Sequence, residues 1–353
     1  MTYLEKTLKK YDYLVPPNLI AQKPAHPRDS AKLLIYTKPK IFSHSAECEN
    51  IAFDTFINIS KYLPKNSVLV FNDTKVLPAR LILKKQTGGR VRILYTETKN
   101  GLMEVMADRK LNIGSKLILT PKIYFSVKNR SEKYYYLKPS FPISRLFSVL
   151  DKFGKTPIPP YIKHSPLSES KLRQEYQAIF AKQKGSVAAP TASLHFTKRL
   201  LKKLKASGVA VEFITLHVGL GTFAPLTEKN LKTGKLHGEF YSISPATAKR
   251  LNRYKKEGRP IIAVGTTSAR TLESAANNKS QITNLKSETK LFIQEGYEFK
   301  FIDGIVTNFH IPKSSLLMLV SALVGRKKLS DLYKKAISNK FRFFSFGDGM
   351  LIK

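Results

Sequence analysis

Four of the seven histidines stand in tightly patterned segments of the sequence. They are His195 in AAPTASLHF, His217 in TLHVG, His237 in LHGE and His310 in TNFHIP. Imidazole exchanges protons readily near neutral pH, and α/β sheets place their ligands at strand ends. Burial in the core is the better explanation for any one of these histidines taken alone. Their clustering at predicted strand ends indicates that at least two take part in chemistry.

A second segment with chemical potential is VGTTSAR at 264–270. A predicted buried strand leads into one glycine and three hydroxyl residues, and a helix containing Arg270 and Glu273 follows. Backbone N–H groups at a helix N-terminus bind anions, so the segment predicts a cradle for a carboxylate or a phosphate. The alternative is ordinary helix capping by Thr or Ser, with Arg270 and Glu273 as a surface pair.

A metal site is the third possibility. His237 and Glu239, joined by His217 or His195, contain the ligand types of a zinc site. No segment has the spacing of a two-histidine helix motif such as His-Glu-x-x-His. The single cysteine, Cys48, excludes an internal disulfide and a Cys-rich zinc site. We therefore expect no bound metal.

The charge balance predicts a polyanionic partner. The chain has 61 Lys and Arg against 25 Asp and Glu, a formal net charge of +36. Such a field attracts nucleic acid, although a general bias toward lysine would give the same balance. No apolar stretch approaches the roughly 18 residues of a membrane span, and the N-terminus lacks the apolar segment of a secretory signal. We expect a cytoplasmic protein that contacts RNA or DNA.

The elements that must position these residues differ between two parts of the chain. Residues 1–75 and 151–353 alternate strands and helices, which is typical of a large mixed α/β domain. Residues 76–150 contain short β-rich runs separated by polar or glycine breaks, such as 128–131, as in a small barrel or sandwich. The sequence therefore predicts an α/β fold with an inserted all-β, barrel-like domain.

Within the α/β part, apolar runs and caps predict individual elements. The predicted strands are 33–36, 67–71, 209–218, 260–264 and 305–309. The predicted helices are 245–257, with Ser244 as N-cap, 271–277 and 313–324. We interpret 277–290 as a surface loop.

Two glycine-containing segments remain. GLGTF at 219–223 lacks the third glycine of a dinucleotide fingerprint and predicts a tight turn that lets a ligand approach the backbone. FRFFSFGDGM at 341–350 either stacks on bases or is a terminal strand packed into the core, and the strand is the preferred interpretation. Asp348 is the polar candidate in this segment.

Taken in order, these segments resemble the S-adenosylmethionine:tRNA ribosyltransferase-isomerases of queuosine synthesis. The resemblance runs from Tyr11 to Ile352. The strongest segments are LVFNDTKVLPAR (69–80), GSVAAPTA (185–192), TLHVG (215–219), AVGTTS (263–268), TNFHIP (307–312) and RFFSFGD (342–348).

The resemblance implies a large α/β domain with an inserted β-barrel. It also implies S-adenosylmethionine as a ribosyl donor, with no metal. The acceptor would be 7-aminomethyl-7-deazaguanine at the wobble position of tRNA, and the products epoxyqueuosine in tRNA, adenine and methionine. We expect a monomer. Rival readings are a non-catalytic RNA-binding protein, a metal hydrolase, and a family member that has changed its acceptor.

Roles follow from the needs of that reaction. The candidate acid–base groups are His195, His217, His237 and Glu239. The candidates for the methionine end or the ribose are Thr266, Thr267, Ser268 and Arg270. The candidates for the adenosine or the deazaguanine are Asn308, His310 and Asp348, and Arg28 and Asp29 are further candidates for substrate binding. The candidates for tRNA phosphates are Lys75, Arg80, Lys313 and Arg342, for which a solvated surface is the alternative.

The chain departs from the family pattern at several positions. Ser193 stands where glycine is expected, Leu220 where a small residue is expected, and Gly238 where serine is expected. Ala178, Glu295 and Lys32 are further departures. Ser193 and Leu220 are the two that could alter a pocket, and the barrel matches only weakly.

Overall fold

A computed structural model describes residues 1–39, 51–219 and 225–353. Within these residues the chain forms a nine-stranded sheet, a closed six-stranded barrel and a small two-stranded sheet. The α/β fold with a barrel-like insertion is therefore confirmed. The division of the chain at residues 75 and 150 stays a prediction. None of the described helices is long and apolar enough to cross a membrane.

The strands in chain order are β1 (Lys32–Tyr36), β2 (Ile51–Thr55), β3 (Val68–Asn72), β4 (Thr74–Val76), β5 (Arg80–Lys85), β6 (Arg90–Lys99), β7 (Leu102–Ala107), β8 (Lys116–Thr120), β9 (Ile123–Ser131), β10 (Tyr134–Pro139), β11 (Gln183–Ser186), β12 (Ala210–Leu216), β13 (Lys235–Ser242), β14 (Ile261–Val264), β15 (Lys286–Leu291), β16 (Gly304–Asn308) and β17 (Gly349–Ile352).

The helices are α1 (Tyr3–Lys9), α2 (Leu146–Phe153), α3 (Glu169–Glu175), α4 (Lys198–Ala206), α5 (Glu228–Thr233), α6 (Pro245–Lys256), α7 (Thr266–Ala275), α8 (Ser315–Val324) and α9 (Arg326–Ser338). Short 3-10 turns lie at Pro17–Leu19, Arg28–Ser30, Phe56–Lys61, Ile143–Arg145 and Thr191–His195.

The large sheet has the strand order β15-β13-β12-β3-β14-β16-β17-β1-β2. Its central strands β12, β3, β14 and β16 are parallel. Alternate residues of β14 enter different cores: Ile261 and Ala263 pack on one face, Ile262 and Val264 on the other. Because both faces are covered, these strands are continuous apolar runs, which is why the sequence revealed them.

The barrel strands follow one another in the order β10-β7-β6-β5-β8-β9, and the ring is closed. Inward-facing apolar residues such as Leu81, Ile93 and Val105 fill it. The predicted break at 128–131 is wrong, because these residues end β9. They pair with β10 in an exposed hairpin, and polar residues on both faces of such a hairpin resemble a loop.

Two predictions in the α/β part need correction. The segment 277–290 is not all loop, since β15 begins at Lys286 and pairs with β13 at the edge of the sheet. An edge strand can be polar, so no apolar run indicated β15 in the sequence. The helix predicted from 271 begins at Thr266, because the three hydroxyl residues form its first turn. The helix at 245–256, capped by Ser244, is confirmed. The terminal strand predicted for 341–350 begins only at Gly349, where β17 starts.

The two chain connections to the barrel meet at Arg80 and Lys155. Arg80 and Lys155 exchange two backbone hydrogen bonds of 3.1 and 2.7 Å. Next to them, a Cβ atom on Gly154 would lie 1.8 Å from the carbonyl oxygen of Pro78. The two chain connections therefore lie side by side, and Gly154 is required for their close approach.

We expect Gly154→Ala to lower the free energy of unfolding by about 1–3 kcal/mol, because the methyl group overpacks a backbone contact. The measurement is the urea unfolding midpoint. Gly89→Ala is the matched control, since a Cβ there meets nothing within 4 Å. Equal midpoints for the two variants would contradict the prediction.

Candidate functional site

One small cavity lies at the start of α7. β14 ends at Val264, Gly265 turns the chain with a φ of 90°, and α7 begins with no side-chain cap. Gly265 suits this positive φ because it has no side chain. Thr266 and Thr267 line a cavity of about 50 Å³. The alternative of a side-chain-capped helix is therefore wrong, and the first-turn N–H groups lie beside the cavity.

The three hydroxyl residues of α7 divide between two environments. The Oγ1 of Thr267 accepts a hydrogen bond of 3.2 Å from the side-chain amide of the buried Asn72. Ser268 instead donates to the carbonyl of Val264 at 2.9 Å, and it does not line this cavity. The structure thus brings Thr266 and Thr267 to the cavity but not Ser268.

Asn308 and His310 also line this cavity. The Oδ1 of Asn308 accepts from Thr191 at 3.0 Å, and its Nδ2 lies 3.4 Å from Nε2 of His195. His310 Nε2 lies 2.7 Å from Oγ1 of Thr307. The side-chain amide of Asn308 is therefore held in one orientation from two sides.

His195 and His310 are buried and neutral. Burial lowers the pKa of His195 to about 3, with positive charge on Arg342 and Arg28 adding to the effect. Burial alone lowers the pKa of His310 to about 3. The ring of His195 also stacks on Phe56, with centroids 4.0 Å apart. Neither imidazole carries a charge near pH 7.

A much larger cavity, of about 650 Å³, lies between the large sheet and the barrel. His217, His237 and Glu239 line it from the sheet side. Barrel residues line the other side, namely Tyr95, Thr96, Glu97, Thr98, Lys99, Glu104, Ser131, Glu132, Tyr134 and Tyr136. Val218 lines both this cavity and the small one. The two cavities are therefore neighbours.

His217 is held in the large cavity by its surroundings. Its Nδ1 lies 2.9 Å from Oγ1 of Thr74, and a Cβ on Gly185 would lie 2.8 Å from the ring. Its Nε2 has no hydrogen-bond partner among the described residues. Burial lowers the pKa of His217, and the nearby Asp73 carboxylate offsets part of this effect. His237, in contrast, is exposed.

Glu239 is buried and forms an ion pair with Arg270. Oε2 of Glu239 accepts from Nη1 of Arg270, and Oε1 accepts from the backbone N–H of Gly219 at 2.9 Å. Nε of Arg270 donates to the carbonyl of Leu291 at 3.1 Å. The surface pair of Arg270 with Glu273 is wrong, because both are buried and Glu273 instead accepts from backbone N–H groups at 300–302.

Three predicted substrate-binding residues lie away from both cavities. Asp29 is fully buried and accepts from Nε of Arg199 at 2.7 Å. Arg28 donates to the carbonyl of Gln177 at 2.7 Å. Asp348 is buried and lies 2.9 Å from Nη2 of Arg342. Substrate contact by Arg28, Asp29 and Asp348 stays a prediction, and each has an internal partner that explains its burial.

The predicted phosphate-binding cations are mostly engaged within the chain. Arg80 donates to the carbonyl of Ile158 at 3.0 Å, and Lys313 pairs with Asp12 at 2.8 Å. Arg342 pairs with Asp348, as above. Lys75 forms no ion pair with the described residues, and it lines a third cavity of about 340 Å³. Their contact with tRNA stays a prediction.

Sequence reasoning missed several residues of both cavities. Tyr161 and Ser345, whose hydroxyls lie 2.6 Å apart, line the small cavity. Phe240 and Glu288 line the large one. The exposure of an aromatic side chain within a strand leaves no signal in the sequence, and neither does a contact between strands.

The remaining predictions concern residues outside the described ranges, the departure at Ser193, and a metal ion. Leu220, Cys48 and the tight turn at 219–223, apart from Gly219, lie outside the described residues. Ser193 is fully buried, and its hydroxyl has no hydrogen-bond partner among the described residues. No group of three His, Cys, Asp or Glu within the described ranges is placed to hold a metal ion.

Comparisons with known proteins give one consistent result. The family model described as queuosine biosynthesis protein matches residues 8–352. The chain is 43% identical over 349 residues to the S-adenosylmethionine:tRNA ribosyltransferase-isomerase of Carboxydothermus hydrogenoformans, covering 98% of this chain and 99% of the relative. It is 42% identical over 356 residues to the protein of the same name in Halothermothrix orenii, covering 98% and 99%.

A solved structure agrees with the fold. The chain is similar to the crystal structure of S-adenosylmethionine tRNA ribosyltransferase from Thermotoga maritima, with a TM-score of 0.53 and 31% identity. The similarity covers 98% of this chain and all of that one.

The buried histidines predict a loss of stability in acid. The unfolded chain protonates His195 below its ordinary pKa of about 6.5, whereas the folded chain does so only near pH 3. Stability therefore falls as the pH drops from about 6.5 toward 3, by up to about 1.4 kcal/mol per pH unit. We expect His195→Gln to reduce the fall of the urea unfolding midpoint between pH 7 and pH 4. The exposed His164→Gln is the control, and parallel curves for all three proteins would refute the prediction.

Proposed function

The chain belongs to the family of queuosine biosynthesis proteins, and from this premise we propose that it is a tRNA ribosyltransferase-isomerase. It transfers and isomerises the ribosyl part of S-adenosylmethionine onto 7-aminomethyl-7-deazaguanine at the wobble position of tRNA. The products are epoxyqueuosine in tRNA, adenine and methionine. The observation that carries the proposal is the cavity between sheet and barrel, into which His217 and Glu239 are built.

The reaction makes four demands on the protein. A base must remove the acidic proton beside the sulfonium, and a donor must assist the departure of adenine. The acceptor amine must be neutral when it attacks, and the methionine carboxylate needs N–H groups or a cation. Side chains that exchange protons near neutral pH satisfy the first three demands.

His217 has the properties of the base. Burial keeps its imidazole neutral, and the contact of Nδ1 with Thr74 fixes the ring. Because the Oγ1 of Thr74 donates to the carbonyl of Gln183, it accepts from Nδ1–H of His217, and Nε2 is the atom that accepts a proton from a ligand in the cavity. The exposed His237 lies in the same cavity, where it can exchange a proton with water or with the acceptor amine.

Glu239 is better suited to holding charge than to moving protons. Its two oxygens bind the Arg270 guanidinium and the Gly219 N–H. We assign it to electrostatic stabilisation of the cationic groups of the reaction. Arg270 therefore acts by holding Glu239, and we do not assign it to the methionine end of the donor. His195, neutral and packed on Phe56, positions Asn308.

The sizes of the two cavities fit different parts of the donor. Sites for whole small molecules usually measure about 300–1,000 Å³, so the cavity of about 650 Å³ accommodates a nucleoside. The cavity of about 50 Å³ accommodates only a fragment. We assign the methionine carboxylate to it, because the uncapped N-terminus of α7 favours negative charge. Asn308 and His310 complete its polar lining.

Charge supports tRNA as the macromolecular substrate. The net charge of +36 supplies the sequence-independent part of RNA affinity, which depends steeply on salt. Lys75 is the best placed of the four predicted cations to contribute. The proposal includes a cytoplasmic location and a monomeric enzyme.

Release of adenine from S-adenosylmethionine tests the proposal directly. We expect adenine and methionine in equal amounts with tRNA that carries the aminomethyl-deazaguanine base, and none with unmodified tRNA. The measurement is chromatography of the small products. Binding of the modified tRNA without release of adenine would replace the proposal with a changed acceptor or a non-catalytic RNA-binding protein.

Two substitutions test the assigned groups. We expect His217→Ala and Glu239→Gln each to lower kcat at least about 100-fold, the usual range for loss of an acid–base or charge-stabilising group. Circular dichroism must show that each variant is folded, because Glu239→Gln leaves a buried arginine unpaired. The exposed His164→Gln should keep full activity. A tenfold or smaller loss in a folded variant would remove that residue from the mechanism.

A further inference from the structure

Phe240 is a large apolar side chain left open to the cavity between sheet and barrel. It lies on β13, is 49% exposed and lines this cavity. Leaving a phenyl group in water forgoes the favourable free energy of its burial. Its ring is inclined by only 21° to the imidazole of His217, with centroids 6.3 Å apart. An exposed aromatic ring next to the proposed base is a surface on which a planar ligand can stack.

Glu288 lies beside Phe240 on the neighbouring strand. The two residues are direct partners in the antiparallel register of β13 and β15, so their side chains stand on the same face of the sheet. Glu288 lines the same cavity. A flat apolar ring and a carboxylate are therefore presented side by side.

Gly238 makes this position of Glu288 possible. A Cβ atom on Gly238 would lie 1.8 Å from Oε1 and 2.1 Å from Cδ of Glu288. Any side chain at 238 would push the carboxylate away. Gly238 is also a departure from the family pattern, which has serine there.

The carboxylate of Glu288 is available to a ligand. Its partner within the chain is Lys290, at 3.0 Å, and both side chains are about half exposed. Exposed pairs of this kind contribute little to stability, because water screens the two charges. Exchange of Lys290 for the donors of a ligand therefore costs little.

We propose that Phe240 and Glu288 bind the acceptor base, an inference that rests on the proposed function. A wobble base must leave the anticodon stack to reach an enzyme cavity. Phe240 then stacks on its plane. Glu288 accepts hydrogen bonds from its Watson–Crick edge, where a guanine-type base carries an N1–H and a 2-amino group next to each other.

The chemistry selects for guanine-type bases. Two carboxylate oxygens match two neighbouring donors, and removal of one donor leaves an oxygen unpaired. An adenine-type edge would place its N1 lone pair against the carboxylate. Phe240 contributes affinity without discrimination, since every base has a stacking face. Discrimination therefore comes from Glu288.

The test uses anticodon stem-loop RNA with guanosine at the wobble position and the same RNA with inosine, which lacks the 2-amino group. Fluorescence anisotropy without S-adenosylmethionine gives both Kd values. We expect the full-length protein to bind the guanosine loop about five- to tenfold more tightly. Glu288→Gln and Gly238→Ser should each abolish this preference, and their combination should do no more than either alone. Phe240→Leu should weaken both loops about tenfold, in line with stacking of about 1–3 kcal/mol.

Lys290→Gln is the matched control, because it removes the neighbouring charge and should keep the preference. Equal binding of the two loops by the unchanged protein, or no binding of either, would overturn the proposal. So would an undiminished preference in Glu288→Gln or twofold or smaller weakening in Phe240→Leu. The adenine-release assay distinguishes failure of this base site from failure of the proposed function. Release of adenine without a preference for guanosine would reject only the base site. A preference that depends on Glu288, without release of adenine, would reject only the proposed reaction.

Discussion

The buried ion pair between Glu239 and Arg270 is the interaction on which the site depends. It joins β13 to α7, the helix that follows β14, and β13 and β14 are separated in the sheet by β12 and β3. Through the Gly219 N–H, Glu239 also fixes the residue that follows Val218, and Val218 borders both cavities. A buried pair is costly to break, by about 3–5 kcal/mol when one partner is removed, against a total stability of about 5–15 kcal/mol. The two halves of the site are thereby held in one arrangement.

The histidines divide according to their burial. His195 and His310 are enclosed and neutral, and their contacts orient Asn308 and the loop after β16. His217 is less enclosed, with one ring nitrogen fixed by Thr74. The same residue type therefore serves as a rigid polar spacer in the small cavity and as a candidate proton acceptor in the large one, and the degree of solvent access decides which.

The sequence predicted those parts of the fold that depend on local pattern. The central strands are continuous apolar runs, and Ser244 with Pro245 marks the start of a helix. The edge strand β15 and the end of β9 were not predicted, because partly solvated strands need not be apolar. The start of α7 escaped because threonine and serine usually precede a helix rather than form its first turn.

Among the site residues, too, those in locally patterned segments were predicted and those that depend on distant contacts were not. His217, His237 and Glu239 were found because their segments are patterned, and the structure brings them to one cavity. The burial of Asp29 and Asp348 in ion pairs depends on partners far along the chain, and so does the place of Arg270 beneath Glu239. Phe240 and Glu288 become neighbours only through strand register, which single-sequence reasoning does not determine.

The paired backbone at Arg80 and Lys155 has an evolutionary consequence. For the rest of the fold, the whole barrel is equivalent to a loop whose two ends already touch. The entropy of closing such a loop grows only slowly with its length. Substitutions of outward-facing barrel residues therefore have little effect on the stability of the large sheet. Selection can remodel the barrel exterior to follow its RNA while the other wall of the cavity stays constant.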